Sequence, residues 1–214
     1  MVVGLAHNRL SSATMERPAS GDRAFVKELR TGRLILRTLE QSDARRIFHY
    51  RSHPEVSRFQ SWGTELIAEI QSHIKELSAT PPGTPGCWHQ LGICLLSTRE
   101  LIGDCGFHVL QAEPRQAEFG ITVDPMYQHQ GFATEALQTL LQYLFFKLGK
   151  HRVFASVDPR NIRSVTLMER VGLRKEAHFV KSLWFKGAWV DDLIYAMLAG
   201  EWKTTRGTQA SSPV

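Results

Sequence analysis

The segment Gln128-His129-Gln130-Gly131-Phe132-Ala133-Thr134-Glu135-Ala136 joins a β-rich run to an amphipathic helix through a turn that suits a phosphate. Upstream, Glu118-Phe119-Gly120-Ile121-Thr122-Val123 reads as a strand that Asp124-Pro125 stops, because proline has no ladder N–H and a fixed φ. Downstream, Ala133, Ala136, Leu137, Leu140, Leu141, Leu144, Phe145 and Leu148 recur at three- and four-residue intervals, which is one face of a long helix. The first N–H groups of that helix lack intrahelical partners and carry roughly half a positive charge between them, so a diphosphate can sit there. Gly131 and Ala133 are small where a side chain would block it. Taken alone, such a turn is also what an ordinary strand-to-helix connection looks like.

The loop is similar to the acyl-CoA loop, Gln/Arg-x-x-Gly-x-Gly/Ala, of the GNAT N-acyltransferase superfamily. Its continuation through Thr134-Glu135-Ala136 resembles the branch that acetylates the N-terminal alanine of ribosomal proteins. Two other blocks resemble the same branch: Val157-Asp158-Pro159-Arg160-Asn161-Ile162-Arg163-Ser164 with Met168-Glu169-Arg170-Val171-Gly172-Leu173, and Thr31-Gly32-Arg33-Leu34-Ile35-Leu36-Arg37 followed by Asp43-Ala44. The blocks keep the family's order and spacing, and the resemblance covers roughly residues 30 to 203. It implies an α+β fold of GNAT type, with a mixed, mostly antiparallel sheet of about seven strands and about four helices. One parallel pair of strands would splay to admit the pantetheine arm of acetyl-CoA, the cosubstrate, and no metal would be needed.

The resemblance also assigns roles. Backbone groups of Phe119, Gly120, Ile121, Thr122 and Val123 would face the coenzyme, one N–H between Gly120 and Val123 acting as oxyanion donor. Gln128, His129, Gln130, Gly131, Phe132, Ala133 and Thr134 would hold the pyrophosphate. Asn161 and Ser164 are three apart, hence on one helical face with Val165 and Met168; Asn161 would bond the pantetheine amide unless it only caps its helix, and Ser164 would reach the sulfur or a phosphate. Many relatives carry a tyrosine acid near the middle of this helix; Met168 stands there, so Ser164 is the expected substitute. Glu118 is the candidate base, the competing role being a strand carboxylate paired with Arg115 or another cation. An α-amine of pKa about 7.8 needs less help than a lysine of pKa about 10.4, so the absence of an obvious strong base favours α-amines. Phe59, Trp62, Trp184, Phe185, Trp189 and Asp191 lie where the superfamily builds its acceptor pocket, and Asp191 or Asp192 would pair with an ammonium group unless it is a solvated hairpin carboxylate.

The elements that must position these groups are legible in outline. Strands are expected at 33–39, 87–97, 101–111, 116–123, 152–157, 173–184 and 188–199, and helices at 41–52, at 64–78 with Thr64 as N-cap, from the loop through Leu148, and at 161–170. The strands at 116–123 and 152–157 should form the parallel pair. Residues 1–28 read as a mobile arm, 29–203 as the single catalytic domain and 204–214 as a polar tail. A chain of 214 residues with 43% hydrophobic content can bury one large core.

No apolar run reaches the roughly 20 residues of a membrane-spanning helix, and no signal-type segment opens the chain, so a cytoplasmic enzyme is expected, monomeric or homodimeric. Cys87, Cys94 and Cys105 lack metal-ligand spacing and read as core thiols. A net charge of +5 permits an acidic partner, but no basic run supports direct nucleic-acid binding. The expected acceptor is an amine on a protein N-terminus or a small molecule. One alternative is a non-catalytic acyl-CoA-binding or regulatory module, which the absent tyrosine makes conceivable. A dinucleotide-binding domain is disfavoured because Gly-x-Gly-x-x-Gly is missing.

Overall fold

The computed structural model describes residues 2–3, 28–60 and 66–202. The arm expected at 1–28 and the tail at 204–214 lie almost wholly outside the described residues, as do Trp62 and Thr64. Nine strands belong to one sheet among the described residues: β1 (Val2–Val3), β2 (Glu28–Arg30), β3 (Leu34–Thr38), β4 (Trp88–Leu95), β5 (Leu101–Val109), β6 (Gln116–Val123), β7 (Arg152–Val157), β8 (Arg174–Phe185) and β9 (Ala188–Leu198). The helices are α1 (Ala44–Arg51), α2 (Pro54–Ser57), α3 (Ile67–Ser78), α4 (Phe132–Gln142) and α5 (Ile162–Arg170). The strand order is β2-β3-β4-β5-β6-β7-β9-β8, with β1 added on β6.

Among the described residues every pairing between these strands is antiparallel except β6 with β7. That parallel ladder holds three pairs, Gln116↔Arg152, Ala117↔Val153 and Glu118↔Phe154, and then stops although both strands continue. The expected splay therefore opens immediately after Glu118. β1 lies against the opened edge, Val2 opposite Thr122 and Val3 opposite Ile121.

Strand alternation divides the sheet into two faces. Leu91, Ile93, Phe107, Phe119, Ile121, Val153, Ala155, Leu193, Tyr195 and Met197 build the main core, closed by Ala136, Leu137, Leu140, Leu141, Leu167 and Met168 of α4 and α5. The opposite face is covered at one end by α1 and α3 through Ile47, Tyr50, Ile70 and Ile74. Between that cover and β9, the same face carries Glu118.

The seven expected strands appear within two residues of their bounds, and β1 and β2 are additional. Two helical segments depart from expectation. The periodic run after the loop leaves α-helical geometry at Gln142 and finishes as a wider π turn over Tyr143–Lys147. The short α2 begins on Pro54, whose fixed φ suits a first helical position, with the His53 side chain accepting from the Glu55 N–H at 3.3 Å. Cys94 and Cys105 are buried free thiols, and burial pushes the Cys105 thiol well above the ordinary range.

Candidate active site

Two left-handed residues, His129 at φ 63° and Gly131 at φ 81°, turn the chain between β6 and α4. Gly131 is the N-cap of α4 and supplies no side-chain cap, so the first N–H groups of the helix meet no capping oxygen there. His129, Gly131, Ala133 and Thr134 line a cleft of about 300 Å³ whose other wall is α5, with Arg163, Thr166 and Arg170. A dipole end without a side-chain cap facing two guanidinium groups is chemically suited to a pyrophosphate.

The loop is clamped from behind. Arg33 donates through Nε to Glu135 Oε2 at 2.7 Å and through Nη1 to the Gln130 carbonyl at 3.0 Å, and its guanidinium lies 4.6 Å from the Phe132 ring centroid. The Thr31 hydroxyl also donates to Glu135. Burial pushes the Glu135 carboxyl upward, but these bonds outweigh it and hold the group below the usual carboxylate range. The Thr31-Gly32-Arg33 block thus neutralises the one acid in the first turn of α4 that would otherwise repel a phosphate.

Three of the expected loop contacts have structural duties. Gln128 is buried, donating to the Val123 carbonyl at 2.9 Å and accepting from Arg163 at 3.1 Å, which ties the end of β6 to α5. Gln130 donates from Nε2 to the Met126 carbonyl at 3.2 Å, and the Phe132 ring is buried in the core.

Glu118 occupies the last rung before β6 and β7 part. It is 6% exposed, and its Oε1 meets no hydrogen-bond partner among the described residues. Burial, with Asp192 as a second cause, pushes its carboxyl up to about 8. The pairing with Arg115 weighed as its competing role does not form, because Arg115 is engaged with Glu113 at 2.7 Å. A buried carboxylate at the mouth of a splayed edge, holding a proton near neutrality, is equipped for general base work.

On α5 the expected contact face turns inward. Ser164, Leu167 and Met168 form the buried stripe, whereas Ile162, Arg163, Thr166 and Arg170 reach the coenzyme-side cleft. Ser164 is fully enclosed, so the acid role expected of it has no open path in this structure. Its N–H donates to Asn161 Oδ1 at 3.3 Å, which makes Asn161 the N-cap. Since aspartate caps about as well as asparagine, Asn161→Asp should leave thermal stability and acetyl-CoA affinity nearly unchanged. A calorimetric loss of about tenfold would instead place the Asn161 amide on the coenzyme, the scale of one unmade hydrogen bond.

The acceptor side is corrected by strand alternation. Val190, Asp192 and Ile194 share one face of β9, and Trp189 and Asp191 project to the other. Asp192 accepts from the Ser156 hydroxyl at 2.6 Å, and Ser156 lies on the same face of β7 as Phe154, the partner of Glu118. Asp191, one of the two carboxylates named for the ammonium, is bonded to His178 at 2.9 Å and to the Lys181 N–H at 3.1 Å. Trp189 is exposed and stacks edge-on against Trp184.

Phe59 is half-buried beneath the Arg58 guanidinium at the rim. Beside it Gln60, which was not anticipated, is buried and donates to the Thr122 hydroxyl, placing the segment after α2 over the opened edge of β6. Lys186 donates to the Ser57 carbonyl at 2.6 Å and Arg163 bonds Glu55 at 3.1 Å, so α2 is tied both to the β8–β9 hairpin and to α5. His108, opposite Glu118 on β5, was also unanticipated; burial lowers its pKa, favouring neutral imidazole.

Comparison with known proteins agrees with this geometry. Residues 33–174 match the family described as Acetyltransferase (GNAT) domain. The chain is 34% identical over 173 residues to the uncharacterized N-acetyltransferase YoaA of Bacillus subtilis, covering 79% of this chain and 96% of that one. It is 25% identical over 201 residues to the [ribosomal protein uS5]-alanine N-acetyltransferase of Escherichia coli, covering 87% and 99%. A GNAT-family acetyltransferase structure from Bacillus anthracis superposes with a TM-score of 0.72 at 26% identity, covering 81% of this chain and 99% of that one.

Proposed function

We propose that this chain, which belongs to the GNAT acetyltransferase family, moves the acetyl group of acetyl-CoA directly onto a primary amine, with Glu118 as the base and an α-amine as the preferred acceptor class. The observation that carries the reading is the buried Glu118 carboxyl with an unpartnered oxygen at the point where β6 leaves β7.

The amine nitrogen attacks the thioester carbonyl carbon, the C–S bond breaks, and the coenzyme leaves as thiolate. A thiol of pKa about 8.5 is a tolerable leaving group without a dedicated acid, consistent with Met168 at the position of the usual tyrosine. Glu118 takes the proton that the amine must lose. A carboxyl at about 8 is nearly matched to an α-ammonium of pKa about 7.8, so that transfer is close to thermoneutral. For a lysine-type ammonium of pKa about 10.4 the same step runs uphill by about two and a half pK units. The α4 N-terminus with Arg163 and Arg170 would hold the pyrophosphate, and a pantetheine arm along the edge of β6 would have to displace β1 from Thr122 and Ile121.

Glu118 is thus a stronger base than the bare sequence implied, so the preference for α-amines rests on pKa matching rather than on the lack of a base. The test is coenzyme thiol release from acetyl-CoA with a panel of peptides, polyamines and aminoglycosides. Peptides with free N-termini should turn over fastest. Release confined to the polyamines or aminoglycosides would contradict the acceptor class, and no release with any amine would contradict transfer.

A further inference from the structure

We propose that Asp192, fixed by Ser156, is the second carboxylate of the acceptor pocket and receives the amine in its ammonium form before Glu118 removes the proton. The inference deepens the transfer reading and depends on Glu118 lying in that pocket.

The placement follows from the ladders. Glu118 pairs with Phe154, and Phe154 and Ser156 project from the same face of β7. The Ser156 hydroxyl donates to Asp192 Oδ1 at 2.6 Å, which draws the Asp192 carboxylate toward β6 and away from the hairpin surface where Asp191 sits. Glu118 is nine-tenths buried, its Oε1 meets no partner among the described residues, and it lies near enough for the charge of Asp192 to act on it.

Among the described residues, the charges on the surrounding strands are themselves paired or biased to neutrality. On β5, Asp104 is matched by Arg51 at 3.0 Å, and His108 is biased to neutrality by burial. On β7, Arg152 shares the face of Phe154 but is bound to Glu176 on β8 at 2.5 Å. Over the pocket, Gln60 is neutral and presents a buried, unpartnered Oε1.

Two neighbouring carboxylates resist ionising together, and a cation between them removes that resistance. An ammonium group satisfies both oxygens by charge-assisted bonds and loses one proton to the more basic of them. The proton moves from nitrogen to the ionised Glu118, which becomes the neutral acid, and the neutral amine is left hydrogen-bonded to the Asp192 carboxylate. Asp192 thereby selects amines over hydroxyl or thiol acceptors, which carry no positive charge.

The probe is a peptide with a free N-terminal alanine, titrated calorimetrically into the full chain loaded with CoA, together with infrared titration of the protonated Glu118 carboxyl, identified by its absence in Glu118→Gln. Asp192→Asn keeps the shape and the bond from Ser156. It should weaken peptide binding at least about tenfold and move the Glu118 midpoint to lower pH, leaving CoA affinity unchanged. Ser156→Ala, which only loosens Asp192, should shift both readouts in the same direction by less. Equal peptide affinity and an unmoved midpoint in Asp192→Asn would overturn the proposal. Should wild type bind the peptide through Asp192 yet never acetylate it from acetyl-CoA, the inference stands and the transfer reading falls.

Discussion

Replacing Glu118 by glutamine should lower turnover by about a hundred- to ten-thousandfold while acetyl-CoA affinity stays near wild type, because the amide keeps the shape of the carboxyl but cannot accept the proton. Raising the pH should partly rescue the variant, since more amine then arrives neutral. An α-amine would level off just above pH 8, whereas a lysine would gain nearly tenfold per unit across the assay range. In wild type, kcat/KM should fall about tenfold per pH unit below about 8, where Glu118 becomes protonated in the free enzyme.

The same carboxyl costs stability. Its folded pKa lies above its ordinary value, so the folded state binds the extra proton between about 4.5 and about 8 and stability declines as pH rises through that window. Glu118→Gln removes the decline, so its melting temperature should exceed that of wild type by more at pH 8.5 than at pH 5. A variant as active as wild type across this range, or equally pH-dependent in melting, would make Glu118 structural.

Gly131→Glu should weaken acetyl-CoA binding by about a hundredfold or more, through a carboxylate placed at the dipole end where the pyrophosphate must approach. Two effects need separating. Gly131 sits at φ 81°, where any Cβ is strained by roughly 1–2 kcal/mol, and that Cβ would lie 3.3 Å from Arg33 Nη2, the group that clamps the loop. Gly131→Ala reports the strain alone and should cost far less affinity than the glutamate. Calorimetry on both folded variants decides: equal losses would mean that only loop distortion matters, and no loss in either would make the loop a plain connection.

The loop and the helix after it were legible because their signals are local. Gly131, the proline stop at Asp124-Pro125 and the periodic face of α4 act within a dozen residues, and the structure places the loop and the helix where those signals put them, whereas the splay after Glu118 was implied by the family resemblance alone. The proposed acceptor half was not, because its residues come from the segment after α2 and from β6, β7 and β9, which come together only in the folded chain. Asp191 and Asp192 are neighbours in sequence on opposite faces. The alternation that separates them is hidden, because Leu193, Ile194, Tyr195 and Ala196 are apolar on both sides of β9. Gln60 gave no signal at all, since a buried amide in a short connection has no pattern of its own; only its bond to Thr122 reveals it.

Ser164 is the opposite case, a residue whose burial the sequence did not announce. Its spacing from Asn161 correctly put both on one helical turn, but the hydrophobic partners Leu167 and Met168 fix that stripe against the core and leave Arg163, Thr166 and Arg170 on the cleft. The Thr31-Gly32-Arg33 block carried no assigned role in the sequence, and its contact with Glu135 spans more than a hundred residues.

Direct acetyl transfer from acetyl-CoA to an amine within one ternary complex can be followed in a rapid-quench single turnover with acetyl-labelled coenzyme and an alanine-terminated peptide. Label should reach the peptide nitrogen only when peptide and coenzyme are present together, no label should appear on the protein at any time, and the fast phase should be lost in Glu118→Gln. Label that appears on the protein without peptide, or coenzyme that stays intact with every amine supplied, would contradict direct transfer.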